Sequence, residues 1–197
     1  MRKYSNGWDK ARALEIPGLI EGGAVCMEDL KPSKWLLDEL KPHKTILDFG
    51  CGPGRNTFEL ASRGHIVTAF DFPNMIQMLR DNPQFNTGKI LNRIIPDFRW
   101  IQVGFNRYDA IFACLVFQHM PADVADEYME CMVEMTDNLL VYSRSYMDYE
   151  GGRVIDALTK RFKINKDMAS MASVEKISNA MDCAGEEHFL AWFKPIK

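Results

Sequence analysis

The chain predicts an α/β fold, a mostly parallel sheet with helices on both faces, and three observations carry that prediction. A short apolar run, Thr45-Ile46-Leu47-Asp48-Phe49, stops at a turn of three alternating glycines, Gly50, Gly52 and Gly54. Ile46, Leu47 and Phe49 suit a strand buried on both faces, while the glycines free the backbone for positive φ and for close approach of a flat ligand. A second run, His65 to Phe70, follows one helix length later and ends at Asp71. A third, Tyr108 to Val116, is apolar on both faces, as a central strand must be. Such strands alternating with helical patterns build parallel βαβ units.

The helix after the glycine turn, Arg55 to Arg63, carries Phe58, Leu60 and Ala61 inward and ends at Gly64, a residue suited to a left-handed cap. Its unpaired N-terminal amides and its dipole favour an anion, so a ligand in the turn is expected to carry a carboxylate or phosphate there. A dinucleotide fingerprint needs a third glycine at position 55, where this chain has Arg55, and the NAD reading is weakened. The spacing Asp48-x-Gly50-x-Gly52-x-Gly54 instead resembles motif I of the class I S-adenosylmethionine-dependent methyltransferases, down to the common Gly-Cys-Gly-Pro-Gly form. The resemblance implies a Rossmann-like doubly wound sheet with an antiparallel strand near the C-terminus, and S-adenosyl-L-methionine as cofactor. The methionine end would be held by Asp48, Gly50, Cys51, Gly52 and Gly54, with Arg55 a charge-assisted partner for its carboxylate. The small Cys51 is explained there by space better than by redox or nucleophilic chemistry. A ribose calls for a second acid about twenty residues on, and Asp71 stands there, able to accept from both hydroxyls. Phe72 is then placed to pack on the adenine.

In chain order, residues 1–44 are punctuated by Ile16-Pro17-Gly18 and Glu21-Gly22-Gly23, with a helix expected from Pro32 to Leu40, closed by Pro42. The resemblance implies an N-terminal lid and packing helix over 1–44 and a methyltransferase domain over 45–197. Tyr4 and Trp8 are the aromatic lid candidates, or else rings that pack on the core. After Asp71 a short helix, Asn74 to Arg80, presents Met75, Ile76 and Leu79 on one side and stops before Asn82-Pro83. Lys89 to Ile95 is the third strand. In the resembled family an acid just after it accepts from the adenine amino group, a role that falls to Asp97, whose alternative is a solvated turn aspartate. Phe98 and Cys114 are further cofactor contacts on the same resemblance.

Tyr108 to Val116 resembles the family's fourth strand and is expected beside the first, where the chain reverses and ligands occupy the crevice at the strands' C-terminal ends. Phe117-Gln118-His119-Met120-Pro121 then falls at the reaction site. His119 is the catalytic candidate, a base for an oxygen or nitrogen nucleophile, the alternative being a capping or packing pair with Gln118. From Pro121, with Asp123 in the first turn, Val124, Tyr128, Cys131, Met132 and Met135 recur at helical spacing as a core stripe. Asn138 to Ser143 is the fifth strand, and the loop Ser145 to Tyr149 after it is a candidate substrate wall. Val154, Ile155, Leu158 and Phe162 mark another amphipathic helix, and His188 to Phe193 a final buried strand. Asn165 to Glu187 admits a helix on Val174, Ile177 and Met181 or a strand, and is left open.

With 197 residues and 47% hydrophobic content the chain can bury one sizeable core, so a single domain is expected. Its net charge is -3, and 24 Lys+Arg are spread against 27 Asp+Glu without a block of like charges. That balance offers no surface for a phosphate backbone or a membrane and favours a small-molecule or peptide acceptor. The five cysteines form an odd set without a Cys-x-x-Cys pair, which argues against a disulfide framework and a structural zinc and for a reducing compartment. No metal is expected. No apolar run of signal or membrane length appears, so the expected location is cytoplasmic. The function these readings predict is methyl transfer from S-adenosylmethionine to an unidentified small-molecule acceptor. A nucleic-acid or protein methyltransferase and a non-catalytic methyltransferase-like binding domain are the alternatives. Transfer from a sulfonium is an in-line displacement that alignment in a dry pocket can accelerate without a dedicated acid or base, which leaves the acceptor nearly silent in sequence. Against the nucleic-acid alternative, Cys114-Leu115-Val116-Phe117 stands where enzymes acting on exocyclic amines carry Asn/Asp-Pro-Pro-aromatic.

Overall fold

The computed structural model describes residues 40–42, 44–87, 90–94, 107–117, 120–144, 153–167 and 188–196. Among these residues seven strands form one sheet: β1 (Thr45–Phe49), β2 (Ile66–Asp71), β3 (Ile90–Ile94), β4 (Ala110–Cys114), β5 (Leu139–Arg144), β6 (Phe162–Asp167) and β7 (His188–Pro195). Their order is β3-β2-β1-β4-β5-β7-β6, and neighbours run parallel except β7, which is antiparallel to both β5 and β6. The α-helices among the described residues are α1 (Arg55–Ser62), α2 (Pro73–Asp81), α3 (Ala122–Met135) and α4 (Val154–Thr159). None is long and apolar enough to cross a membrane.

Side chains alternate across a strand, so the central strands feed two cores. Ile46, Val67, Ala69, Phe112, Leu140 and Tyr142 pack with Leu60 and Ala61 of α1 and Ile76 and Leu79 of α2. Leu47, Phe49, Phe70, Ile111, Ala113 and Val141 pack on the opposite face with Tyr128, Met129 and Met132 of α3 and Val154 and Leu158 of α4. The expected doubly wound sheet, with helices on both faces and an antiparallel strand near the C-terminus, is therefore present.

Register brings the C-terminal ends of the central strands level, with Phe49 paired to Phe70 on β2 and to Ala113 on β4. The opposite edge is tied by side chains. Asp109 Oδ2 accepts from the Lys44 and Thr45 amides at 3.1 and 2.8 Å and from the Thr45 hydroxyl at 2.8 Å. Asn138 Nδ2 donates to the Asp109 carbonyl at 3.0 Å, and Trp192 Nε1 donates to Asn138 Oδ1 at 3.1 Å. These bonds join β1, β4, β5 and β7 at one end, leaving the crevice between β1 and β4 at the other, where the strand order reverses.

One expectation needs correction. Phe162 does not belong to the helix with Val154, Ile155 and Leu158, because α4 ends at Thr159 and Phe162 opens β6. Its spacing of four from Leu158 imitates a helical face, but pairing with β7 and an edge-on contact with Phe193, centroids 6.4 Å apart, prevail. Of the open stretch 165–187, residues 165–167 complete β6 and the rest lie outside the described residues, as do Tyr4, Trp8 and most of the expected N-terminal helix.

Candidate cofactor site

Where β1 ends, the amides of Gly50 and Cys51 both donate to the Phe70 carbonyl, at 2.8 and 3.2 Å, and the turn is thereby fastened to the end of β2. Gly50, Gly52 and Gly54 all have positive φ, at 71°, 56° and 104°. Only at Gly52 would an added Cβ meet nothing within 4 Å, so this α-carbon borders open space, whereas at Gly54 it would strike Leu79 and the Phe58 ring. The turn delivers the chain to α1, whose N-terminus at Gly54 has no side-chain cap. A helix N-terminus of this kind directs its first amides and its dipole toward an anion.

Asp48 lies under this turn and is 1% exposed. Its Oδ2 accepts from the Thr57 hydroxyl at 2.6 Å, while Oδ1 is buried without a hydrogen-bond partner among the described residues. Burial raises its pKa to about 7, against the hydroxyl of Thr57, with the Asp71 carboxylate adding to the rise and Arg55 opposing it. Asp71, at the end of β2, accepts from the Gly52 amide through Oδ2 and from the Phe72 amide through Oδ1, both at 2.6 Å. Burial raises it to about 6, and the two amides restrain the rise. Each Asp71 oxygen keeps a lone pair for a further donor.

A buried acceptor without a donor costs stability and calls for an explanation. Asp48 Oδ1 is such an acceptor, and Asn56 Oδ1, in the first turn of α1, is a second. A ligand that brings an ammonium, a carboxylate and two vicinal hydroxyls fits the set: Asp48 for the ammonium, the α1 amides for the carboxylate and Asp71 for the hydroxyls. S-adenosylmethionine carries all three groups.

The remaining expected residues fall as follows. Arg55 is the first residue of α1, close enough to bear on Asp48. Burial pushes the Cys51 thiol up, with Asp71 and Asp48 adding to it, and Sγ lies 3.4 Å from the Gly52 carbonyl, so Cys51 is a packed thiol. Phe72 is half-buried at the extended cap of α2. Cys114 is buried at the end of β4. Leu115 beyond it has φ 56°, a left-handed conformation that costs a non-glycine residue on the order of 1–3 kcal/mol and clusters at ligand sites. Asp97, Phe98 and His119, and the loop residues Tyr146 and Tyr149, lie outside the described residues. Asn56 and Thr57 were not foreseen; the signal was two polar residues on the inward face of a helix that starts beside a buried acid. Among the described residues no group of three or more His, Cys, Asp or Glu could hold a metal ion.

Comparison with known proteins gives a family match and likenesses of fold. The family described as "Methyltransferase domain" matches residues 46–138. A 2-heptyl-1-hydroxyquinolin-4(1H)-one methyltransferase of Mycobacteroides abscessus is 28% identical over 103 residues, 50% of this chain and 44% of that protein. The chain thus spans less than half the length of this curated relative. Among solved structures, a TehB-like SAM-dependent methyltransferase from Corynebacterium glutamicum superposes with a TM-score of 0.67 at 18% identity, covering 94% of this chain and 99% of that one. The N-methyltransferase NodS from Bradyrhizobium japonicum, in complex with S-adenosyl-l-homocysteine, does so with a TM-score of 0.59 at 16% identity, covering 94% and 98%. At these identities the structural likenesses speak for the fold, and the family match and the acid-and-glycine turn carry the rest. Residues 46–138, just under half of the chain, match a methyltransferase domain, on a fold shared with S-adenosylmethionine-dependent methyltransferases.

Proposed function

We propose that the chain transfers a methyl group from S-adenosylmethionine to a small-molecule acceptor. The observation that carries the reading is the buried Oδ1 of Asp48, unpartnered among the described residues, beneath a glycine turn that Asp71 holds by the Gly52 amide. S-adenosylmethionine, when bound, supplies an electrophilic methyl carbon on a sulfonium. Asp71 accepts from the ribose hydroxyls while its amide bonds keep the turn in shape. Asp48, ionised, accepts from the ammonium, and the open N-terminus of α1, with Arg55, takes the carboxylate. Gly50, Cys51, Gly52 and Gly54 form the bed, Phe72 and Cys114 border it, and Asp97 with Phe98 serves the adenine. The crevice between β1 and β4 excludes water and holds the acceptor in line. His119, in the loop after β4, removes a proton where the acceptor atom is a hydroxyl or amine nitrogen. Residues 1–44 cover the site that 45–197 build. The quinolone methyltransferase of M. abscessus supports a small acceptor, as does a net charge of -3 without a basic cluster.

The test is a melting experiment with S-adenosylmethionine, S-adenosylhomocysteine and NAD, followed by a screen for labelled methyl in a metabolite extract. Ligand at a hundred times its Kd stabilises the native state by about 2.7 kcal/mol, so both adenosyl compounds raise the melting temperature and NAD leaves it in place. A shift with NAD alone overturns the cofactor, and label incorporated into protein or nucleic acid in preference to small molecules overturns the acceptor class.

A further inference from the structure

The left-handed Leu115 has a consequence at the turn. Its amide donates to the Tyr142 carbonyl at 2.6 Å, so the backbone is held to β5 while φ stands at 56°. A glycine would take this conformation freely, yet the chain places a leucine there. Its side chain packs on the core that α1 and α2 cover, and that of Val116 packs on the opposite core, with Phe49 and α3. The chain leaves β4 with one residue anchored on each face of the sheet.

Val116 is thereby pressed onto the glycine turn. A Cβ built on Gly50 would collide with Val116 Cγ2 and would lie 2.8 Å from its Cγ1 and 3.2 Å from its Cβ. Both branches of the valine therefore rest directly on the Gly50 α-carbon. Gly50 in turn donates to the Phe70 carbonyl, whose next residue, Asp71, holds the Gly52 amide. A continuous set of contacts runs from the end of β4, through Val116, to the turn and the ribose-binding acid. Val116 remains half-buried.

We infer that Val116, held over Gly50 by the left-handed Leu115, is a positioning residue that sets the shape of the cofactor turn from the acceptor side of the crevice. The inference rests on the methyltransferase reading and adds to it a residue that no glycine or acid motif marks. A β-branched residue suits the task, because its stiff χ1 presents two methyl groups in one orientation. A shorter side chain leaves Gly50 unsupported and a longer one displaces it, so ligand affinity is expected to pass through a maximum at valine.

The test measures S-adenosylhomocysteine affinity by calorimetry, and the melting temperature without ligand, for the full chain and three variants. Val116→Ala is expected to bind about tenfold more weakly, within the range by which residues remote from a ligand modulate its site. Val116→Ile, which adds a methylene at a half-buried position and is not expected to disturb folding, also binds more weakly while its melting temperature stays at or above that of the unaltered chain. Val116→Thr keeps both branches on Cβ and restores affinity relative to Val116→Ala. A merely structural valine would move melting temperature and leave the affinity of the folded fraction alone. Unchanged affinity in both Val116→Ala and Val116→Ile, or in Val116→Ile alone if Val116→Ala does not fold, overturns the inference and leaves the methyltransferase reading standing. An unaltered chain that binds no adenosyl compound overturns both.

Discussion

Burial gives Asp48 a pKa of about 7 in the folded chain, against about 3.9 for an unfolded aspartate. The native state therefore holds a proton that the unfolded state has lost between those values. The stabilisation this confers is full below about pH 4 and disappears as pH rises through 7. Asp48→Asn cannot ionise, so without ligand this variant is expected to be more stable than the unaltered chain at pH 8, by on the order of 2–4 kcal/mol, and to have a flatter profile between pH 5 and 8. Urea unfolding at the two pH values checks both, and an identical pH dependence in variant and parent would mean that Asp48 is not the titrating group. The same variant is expected to bind S-adenosylhomocysteine more weakly at pH 8, where the parent offers a carboxylate to the ammonium. Asp71 is different in kind, since both its oxygens already bond the backbone. Asp71→Ala removes the ribose acceptor and the Gly52 partner together and is expected to weaken binding by about 1–3 kcal/mol in a chain that still folds. Calorimetry finding unchanged affinity would assign the ribose to another acid.

At the scale of the element, the glycine turn separates packing from ligand approach. Gly54 has no room for a Cβ between Leu79 and Phe58, so Gly54→Ala is expected to cost about 2 kcal/mol of stability or more through overpacking and strain at φ 104°. Gly52→Ala meets open space and is expected to cost stability only through its backbone, about 1 kcal/mol, while the new methyl obstructs the ligand. Melting curves and S-adenosylhomocysteine affinity, measured on both, separate the two roles; equal loss of affinity per folded molecule would count against the distinction. Much of this element was readable in advance, because strand alternation, the glycine spacing and the acid ending the next strand are local signals. What could not be read depends on distant chain. Thr57 is buried against an acid that β1 carries, Phe162 leaves the helix because β7 pairs with it, and Leu115 adopts a left-handed φ with no glycine to announce it. Val116 touches Gly50 across 66 positions of sequence, a contact set by the pairing of β1 with β4.

For the molecule as a whole, sheet order brings the ends of β1 and β4 to one crevice, and the charge around that crevice bears on the acceptor. Proteins that hold nucleic acid neutralise several phosphates with Lys and Arg, and their affinity falls steeply with salt as counterions return to the strand. This chain distributes 24 Lys+Arg among 27 Asp+Glu, and the two site acids, Asp48 and Asp71, are themselves buried at the crevice. A polyanion approaching them would meet acidic groups in place of the Lys and Arg that release counterions, whereas a small, partly apolar acceptor can be sequestered from water with few polar contacts. Binding to RNA or DNA at physiological salt is therefore expected to be negligible, and methyl transfer into a small acceptor is expected to change little between 50 and 200 mM salt, an interval over which a protein making 6–10 phosphate contacts loses about 10³–10⁵ in affinity. Fluorescence anisotropy with labelled oligonucleotides and a salt series on the transfer reaction measure both. Tight binding with a steep salt slope would reassign the acceptor to nucleic acid.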